Sequence, residues 1–302
     1  MSVTGKTLHY WQNSLEQAID GISNFDRAYT MLEATDTSVA SPGKASTSGR
    51  AKTSIDFASN LRAVLGAEVA TGTLTAGTVY QVTAKDTVLS AYSVGELFTA
   101  AGTETMSSTD KVKPLGAKLT GKTLAVTIGG STFKCITANY DVNYDEFDAT
   151  DTSVTSPNMS STSGRAKVTS QLTALMYRDT ADQITNADIS AQAVVVTFAS
   201  GITVTGNATL HQMSISDSVN DICKVTYNLE WQGMPTEVGI GYLTMATEQT
   251  CQIIWEKGSS TNKEITGTVL LLGKSVTSDV NSDAKVTYKG ILNGAITPAV
   301  YS

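Results

Sequence analysis

Residues 33–52 read EATDTSVASPGKASTSGRAK, residues 148–167 read DATDTSVTSPNMSSTSGRAK, and 15 of the 20 positions are identical at a constant offset of 115. The stretch is too polar and too long for one strand or helix. Ser, Thr, Gly and Pro fill its centre, and Gly-Arg-Ala-Lys leads into an alternating segment. That pattern predicts a long loop whose ends feed β-strands. Loops of this length are uncommon in a compact domain unless they carry function. Here one occurs twice, so an internal duplication organises the chain.

Working outward, Thr4–Leu8 (TGKTL) recurs at Thr120–Leu124. A second repeat joins residues 205–233 to 266–294 at an offset of 61, with Lys224–Tyr227 matching Lys285–Tyr288 and Gly233 matching Gly294. The order is therefore front half, front half, back half, back half. The second front half (120–180) runs straight into the first back half (181–235). The other front half (4–66) has its only unclaimed partner at 240–300. This order predicts one domain nested in the other: a split domain A (1–67 with 240–302) around domain B (120–239). The alternative is one continuous sandwich with two unrelated hairpin repeats. Residues 68–119 belong to neither repeat. Their short Thr- and Val-rich runs between Gly turns predict a small inserted β-module, either an elaborated loop or a display element.

The 302 residues are 41% hydrophobic and 16% charged, with a net charge of −7. That balance supports real cores and argues against disorder, and the Thr/Val richness favours strands. Strands are expected at 51–61, 166–177, 193–198, 202–215, 222–231, 251–255, 264–273 and 284–292, and short helices at 14–22 and 179–192. The class is mostly β, as two domains with short flanking helices and the inserted module. No run reaches membrane-spanning length, and MSVTGKTLHYW lacks the regions of a signal peptide. Cys135, Cys223 and Cys251 lack paired spacing and read as buried thiols of a chain made in a reducing cytoplasm. Scattered Lys and Arg on an acidic chain exclude a basic surface that grips nucleic acid.

Catalytic motifs do not emerge. His9 and His211 have no ligand partners at metal spacing, and Asp145, Glu146 and Asp148 lack the pattern of a calcium loop. Asp36 and Asp151 open the repeated Ser/Thr-rich turns, where bonding to backbone N–H groups is the plain account. Arg50 and Arg165, at the loop exits, either pair with those Asp residues or meet a neighbouring subunit.

The segments GKTLAVTIGGSTF, YDEFDATDTS, STSGRAKVTSQLTALMYRD and VTGNATLHQMSISDSVNDICKVTYNLEWQG resemble the tail tube proteins of long-tailed bacteriophages. The likeness covers 120–235 directly, and 1–66 with 240–302 through the repeats. It implies β-sandwich domains with a flanking helix, six of which close a ring around a continuous inner barrel. Two domains per chain would make that ring a trimer. The long loop would stack ring on ring, which assigns subunit contacts to Asp36, Ser38, Pro42, Arg50, Asp151, Ser153, Pro157 and Arg165. The strands after Arg50 and Arg165 would line the bore, with Ser54, Asp56, Thr169, Gln171 and Thr173 facing it. A polar to acidic bore, with Lys and Arg kept to ring contacts, would let DNA slide. The implied role is a virion structural protein, neither an enzyme nor a membrane protein, with no cofactor. Its partners would be itself, the tape measure, tail terminator and tail tip proteins, and DNA in passage. The competing class is a carbohydrate-binding or adhesive decoration or fibre protein.

Overall fold

A computed structural model describes residues 9–12, 15–16, 24–35, 46–64, 66–92, 94, 96–107, 109–149, 161–175, 191–216, 223–240, 243–255 and 263–300. These residues are mostly β. The first front half supplies β1 (His9–Gln12), β2 (Leu15–Glu16), β3 (Asn24–Thr35) and β4 (Ser46–Asn60). The insertion follows with β5 (Arg62–Val64), β6 (Gly72–Thr73), β7 (Val79–Ala84), β8 (Leu97–Thr99), β9 (Thr105–Met106) and β10 (Lys111–Lys118). The second front half supplies β11 (Ala125–Ile128), β12 (Ser131–Asp148) and β13 (Ser161–Leu175). The back halves supply β14 (Gln192–Ala199), β15 (Ile202–Ser216), β16 (Lys224–Trp231) and β17 (Thr236–Val238), then β18 (Gln249–Trp255), β19 (Lys263–Asp279) and β20 (Lys285–Val300).

Two chains of pairing run through the main sheet in the same order. β11 pairs with β14, then β15, β16, β13 and β12 follow, and β12 returns to β11. The counterpart runs β2, β1, β18, β19, β20, β4, β3. Registers correspond as well as order. His9 faces Ile254 where Ala125 faces Thr197, and Asn60 faces Lys285 where Leu175 faces Lys224. Even a bulge recurs, at Leu210/Gln212 and at Leu271/Gly273. One joint departs: β3 sits two residues displaced on β4 relative to β12 on β13, since Asn24 faces Ala58 while Asn139 faces Gln171.

The expected helix at 14–22 is overturned in part. Leu15 and Glu16 are strand, paired with Gln12 and Trp11. Antiparallel pairing of these residues thus outweighs a short periodicity already weakened by Gly21. Among the described residues there is no α-helix, only a 3₁₀ turn at Gly121–Thr123. The 179–192 expectation lies outside the described residues except at its end, where Gln192 opens β14. The repeated loop is also shorter than read. Ser46–Gly49 and Ser161–Gly164 are already strand, because Ser and Thr there pair across the hairpin, Ser48 with Glu33 and Thr162 with Phe147. Gly164 permits this: a Cβ would sit 2.3 Å from the Phe147 ring.

One apolar cluster lies beneath the main sheet and draws on both pairing chains. On its first side Tyr10 stacks on Phe57 at 4.5 Å, and Phe57 on Tyr288 at 5.4 Å. On its second, Trp231 meets Tyr140 edge-on at 6.2 Å and donates from Nε1 to Ser170 Oγ at 2.9 Å. The insertion has a separate core of Leu74, Tyr80, Val82, Leu89, Phe98, Ala100, Met106 and Val112. Asp110 is buried there. Desolvation pushes its carboxyl up, but donation from Ser107 Oγ and the N–H groups of Asp86, Val88 and Leu89 outweighs that and holds its pKa at about 2.

Candidate functional site

The feature that sets this fold apart is a run of eight antiparallel strands, β15–β16–β13–β12–β19–β20–β4–β3. It consists of two four-strand units in identical order. They meet where Thr137–Asn143 of β12 pair with Gly273–Asp279 of β19.

Strand alternation gives this sheet two faces. Thr53, Ile55, Phe57 and Ser59 of β4, and Val168, Ser170, Leu172 and Ala174 of β13, are buried. The alternate residues form the other face, and all five bore candidates are on it: Ser54 and Asp56, half-buried on β4, and Thr169, Gln171 and Thr173 on β13. Three strands separate the two groups, so they share a surface without touching. The alternation that looks blurred along 168–176 is clean once Ser170 is seen as a buried acceptor for Trp231.

A polar row crosses this face. The Gln171 backbone N–H donates to Asn139 Oδ1 at 2.6 Å. Gln171 Nε2 donates to Asn228 Oδ1 at 2.9 Å, and Asn228 Nδ2 donates to Gln212 Oε1 at 3.2 Å. Thr277 extends the row across the joint by facing Asn139. A shallow concavity lies along it, lined by Asn139, Asp141, Thr169, Gln171, His211 and Glu230. Sequence reading missed Asn139, Asn228 and Gln212, although the alternation of Asn139, Asp141 and Asn143 with Tyr140 and Val142 carried the signal.

This face carries charges of both signs. Asp56, Asp141, Glu230 and Asp279 share it with Lys167, Lys224, Lys285 and Lys289. Lysines are not confined to the sheet ends, because every second residue of a strand faces the same way whatever its charge. The result is mixed and balanced rather than negative.

The buried side of the joint holds an ion pair. Lys274 of β19 donates to both carboxylate oxygens of Glu237 on β17, and Tyr140 Oη donates to Glu237 Oε1 at 2.7 Å. Burial, then the Glu237 charge, pushes the Tyr140 phenol well above its ordinary range. Through Glu237, β17 is tied to β19 of one unit by Lys274 and to β12 of the other by Tyr140. At the hairpin ends, Lys52 Nζ donates to Glu146 at 2.5 Å, Ser161 N–H donates to Asn293 Oδ1 at 3.1 Å, and Ser163 Oγ donates to the Ala246 carbonyl at 2.7 Å. Below, Gly121 packs so closely that a Cβ would lie 2.2 Å from the Asp279 carbonyl oxygen, which accounts for the glycine of TGKTL in this copy.

Of the contact candidates, Asp36, Ser38, Pro42, Asp151, Ser153 and Pro157 lie outside the described residues. Arg50 is on β4 and Arg165 is exposed on β13. His211 is exposed on β15. Among the described residues no group of three or more His, Cys, Asp or Glu is placed to hold a metal ion, and no helix is long and apolar enough to cross a membrane. Cys135 and Cys251 are buried, and desolvation lifts each thiol to about 12. No protein-family model matches the chain, and no curated protein matches it.

Proposed function

We propose that the chain is a structural virion protein whose copies close into rings and stack as a tail tube, the conduit for DNA ejection. In this reading residues 1–67 with 240–302 form one tube domain, 120–239 form a second nested within it, and 68–119 are an insertion. Three chains contribute six domains to a ring. The observation that carries the reading is the eight-stranded sheet: two units of identical order joined head to tail, one face in the core and the other polar. Such a sheet has unlike edges and a wall-like surface, and closing it into a ring removes edges that otherwise invite aggregation.

The balanced face suits a conduit. A duplex carries about one charge per 1.7 Å of axis, and a wall with matched acids and lysines has no basic excess to hold it. The repeated Ser/Thr/Pro loops, at the far ends of the β3–β4 and β12–β13 hairpins, are the stacking elements. Tape measure, terminator and tip proteins would meet the tube at its ends, in a virion assembled in the host cytoplasm.

Negative-stain electron microscopy of the purified protein tests this. Rings with a central hole, and tubes built of them, are expected. A discrete oligomer that never stacks overturns the reading in favour of an adhesive or carbohydrate-binding decoration protein.

A further inference from the structure

The two pairing chains share a strand order, yet their cores treat polar atoms differently. In the first, Tyr10 Oη, Thr53 Oγ1, Ser59 Oγ and Asn60 Oδ1 are buried and have no hydrogen-bond partner. All four lie on strands that join the two pieces of the split unit, since β1 pairs with β18 and β4 with β20. Among the described residues of 120–239 no buried side-chain polar atom is left that way. Ser170 accepts from Trp231 there, and Tyr140 donates to Glu237.

The repeat identifies what stands at the matching places. Tyr10 faces Ile253 as Val126 faces Val196. At the offset of 115, Thr53 falls on Val168, Ser59 on Ala174 and Asn60 on Leu175. Val126, Val168 and Ala174 are buried. The second unit is thus apolar where the first buries an orphaned oxygen. Buried polar groups of folded proteins are nearly always paired. An unpaired one gives up its bonds to water on folding and gains none in return. Opening the first unit restores those bonds, whereas opening the second restores nothing comparable. Connectivity acts in the same direction. Residues 120–239 are continuous, and β12 returns to β11 to close their pairing chain. The first unit must join β1 and β4 to β18 and β20 across the insertion and the whole second unit, and closing so long a connection costs chain entropy.

We propose that the fold is built with unequal stability, so that the first unit opens locally as one body while the second stays closed. Strands β1, β4, β18 and β20 are the part that opens, and β11, β13, β14 and β16 are the part that holds. Proteins commonly open in such cooperative pieces; here a near copy of the opening piece sits in the same chain as its reference. The device lets half of the molecule re-seat its strands without melting the other half. It stands on the two cores and is independent of the tube reading.

Hydrogen exchange of the full chain, read by mass spectrometry, tests it. Amides of 53–60 and 285–292 are expected to exchange about 10-fold faster or more than those of 168–175 and 224–231, which hold the matching places, and the first two segments should share one rate. Thr53→Val with Ser59→Ala gives the first unit the residues of its counterpart. That variant should slow exchange of 53–60 and 285–292 by about 10-fold and leave 168–175 unchanged. The converse, Val168→Thr with Ala174→Ser, should speed 168–175 and 224–231 toward the rate of the first unit. Equal exchange of the two units in the unaltered chain overturns the proposal. So does a Thr53→Val, Ser59→Ala chain whose first unit exchanges as fast as before or faster, because the two hydroxyls would then be satisfied by bound water. The first variant decides alone should the converse one fail to fold.

Discussion

The docked strand β19 and its open counterpart β15 share neighbours, bulge and order, yet they differ in what their core-facing residues experience. On β19, Lys274 and Val276 are buried, and the lysine is neutralised by Glu237. On β15, Met213 and Ile215 occupy the corresponding positions and remain exposed. The pairing scheme is retained while the edge chemistry is not. A docked edge tolerates a cation because β17 supplies a partner carboxylate, Glu237. The corresponding positions of β15 are apolar and carry no charge that would need matching.

The sharpest way to break this comparison is to make one substitution at both positions. Val276→Asp buries a carboxylate in the joint and is expected to destabilise by more than about 4 kcal/mol, which abolishes folding. Ile215→Asp is expected to change monomer stability by no more than about 0.5 kcal/mol. Urea unfolding of both variants checks this, and equal losses would mean that the strands are not in contrasting environments.

The ion pair offers a second, smaller contrast. Glu237→Gln leaves Lys274 buried without its counter-charge and should cost about 3 to 5 kcal/mol. Adding Lys274→Met, the residue found at the open counterpart, should recover most of the loss. Denaturation midpoints of the single and double variants decide it. A double variant no better than Glu237→Gln would show that the pair contributes through geometry rather than charge.

The weakest effect is expected in the insertion, whose core holds a lone carboxylate instead of an ion pair. Hydrogen bonds from Ser107 and three backbone N–H groups hold the folded-state pKa of Asp110 at about 2, below its ordinary value. A depressed acid contributes stability that is fully present above its unfolded pKa and is lost as pH falls through the folded one. The insertion should therefore lose stability between about pH 4 and pH 2, and Asp110→Asn should remove that dependence. Hydrogen exchange of 66–118 measured against the main sheet reads it. Unchanged acid sensitivity in Asp110→Asn would assign the dependence to another group.

Much of this architecture was legible in the chain. The repeats located the corresponding strands, and the period-two pattern placed Ser54, Asp56, Thr169, Gln171 and Thr173 on one face. What escaped has physical causes. Leu15 and Glu16 pair back on Gln12 and Trp11 where a short apolar spacing imitates a helix. Ser46–Gly49 and Ser161–Gly164 look like loop because Ser, Thr and Gly serve edge-paired strands as readily as turns. The β12–β19 joint joins residues more than a hundred positions apart by backbone bonds that no side-chain pattern encodes. The charge of the polar face depended on which lysines shared its parity, a matter of register rather than composition.

At the root of the insertion, Leu119 N–H donates to the Leu61 carbonyl at 2.8 Å, and both strands hold to Ala284 by further backbone bonds. The chain thus departs from the body and comes back at neighbouring points on one ladder. Everything between is a detour, and a short turn could bridge its two ends without disturbing a pair in the main sheet. That makes the root a natural socket: a place where one lineage can carry a cargo, another a different one and a third nothing, on an unaltered scaffold.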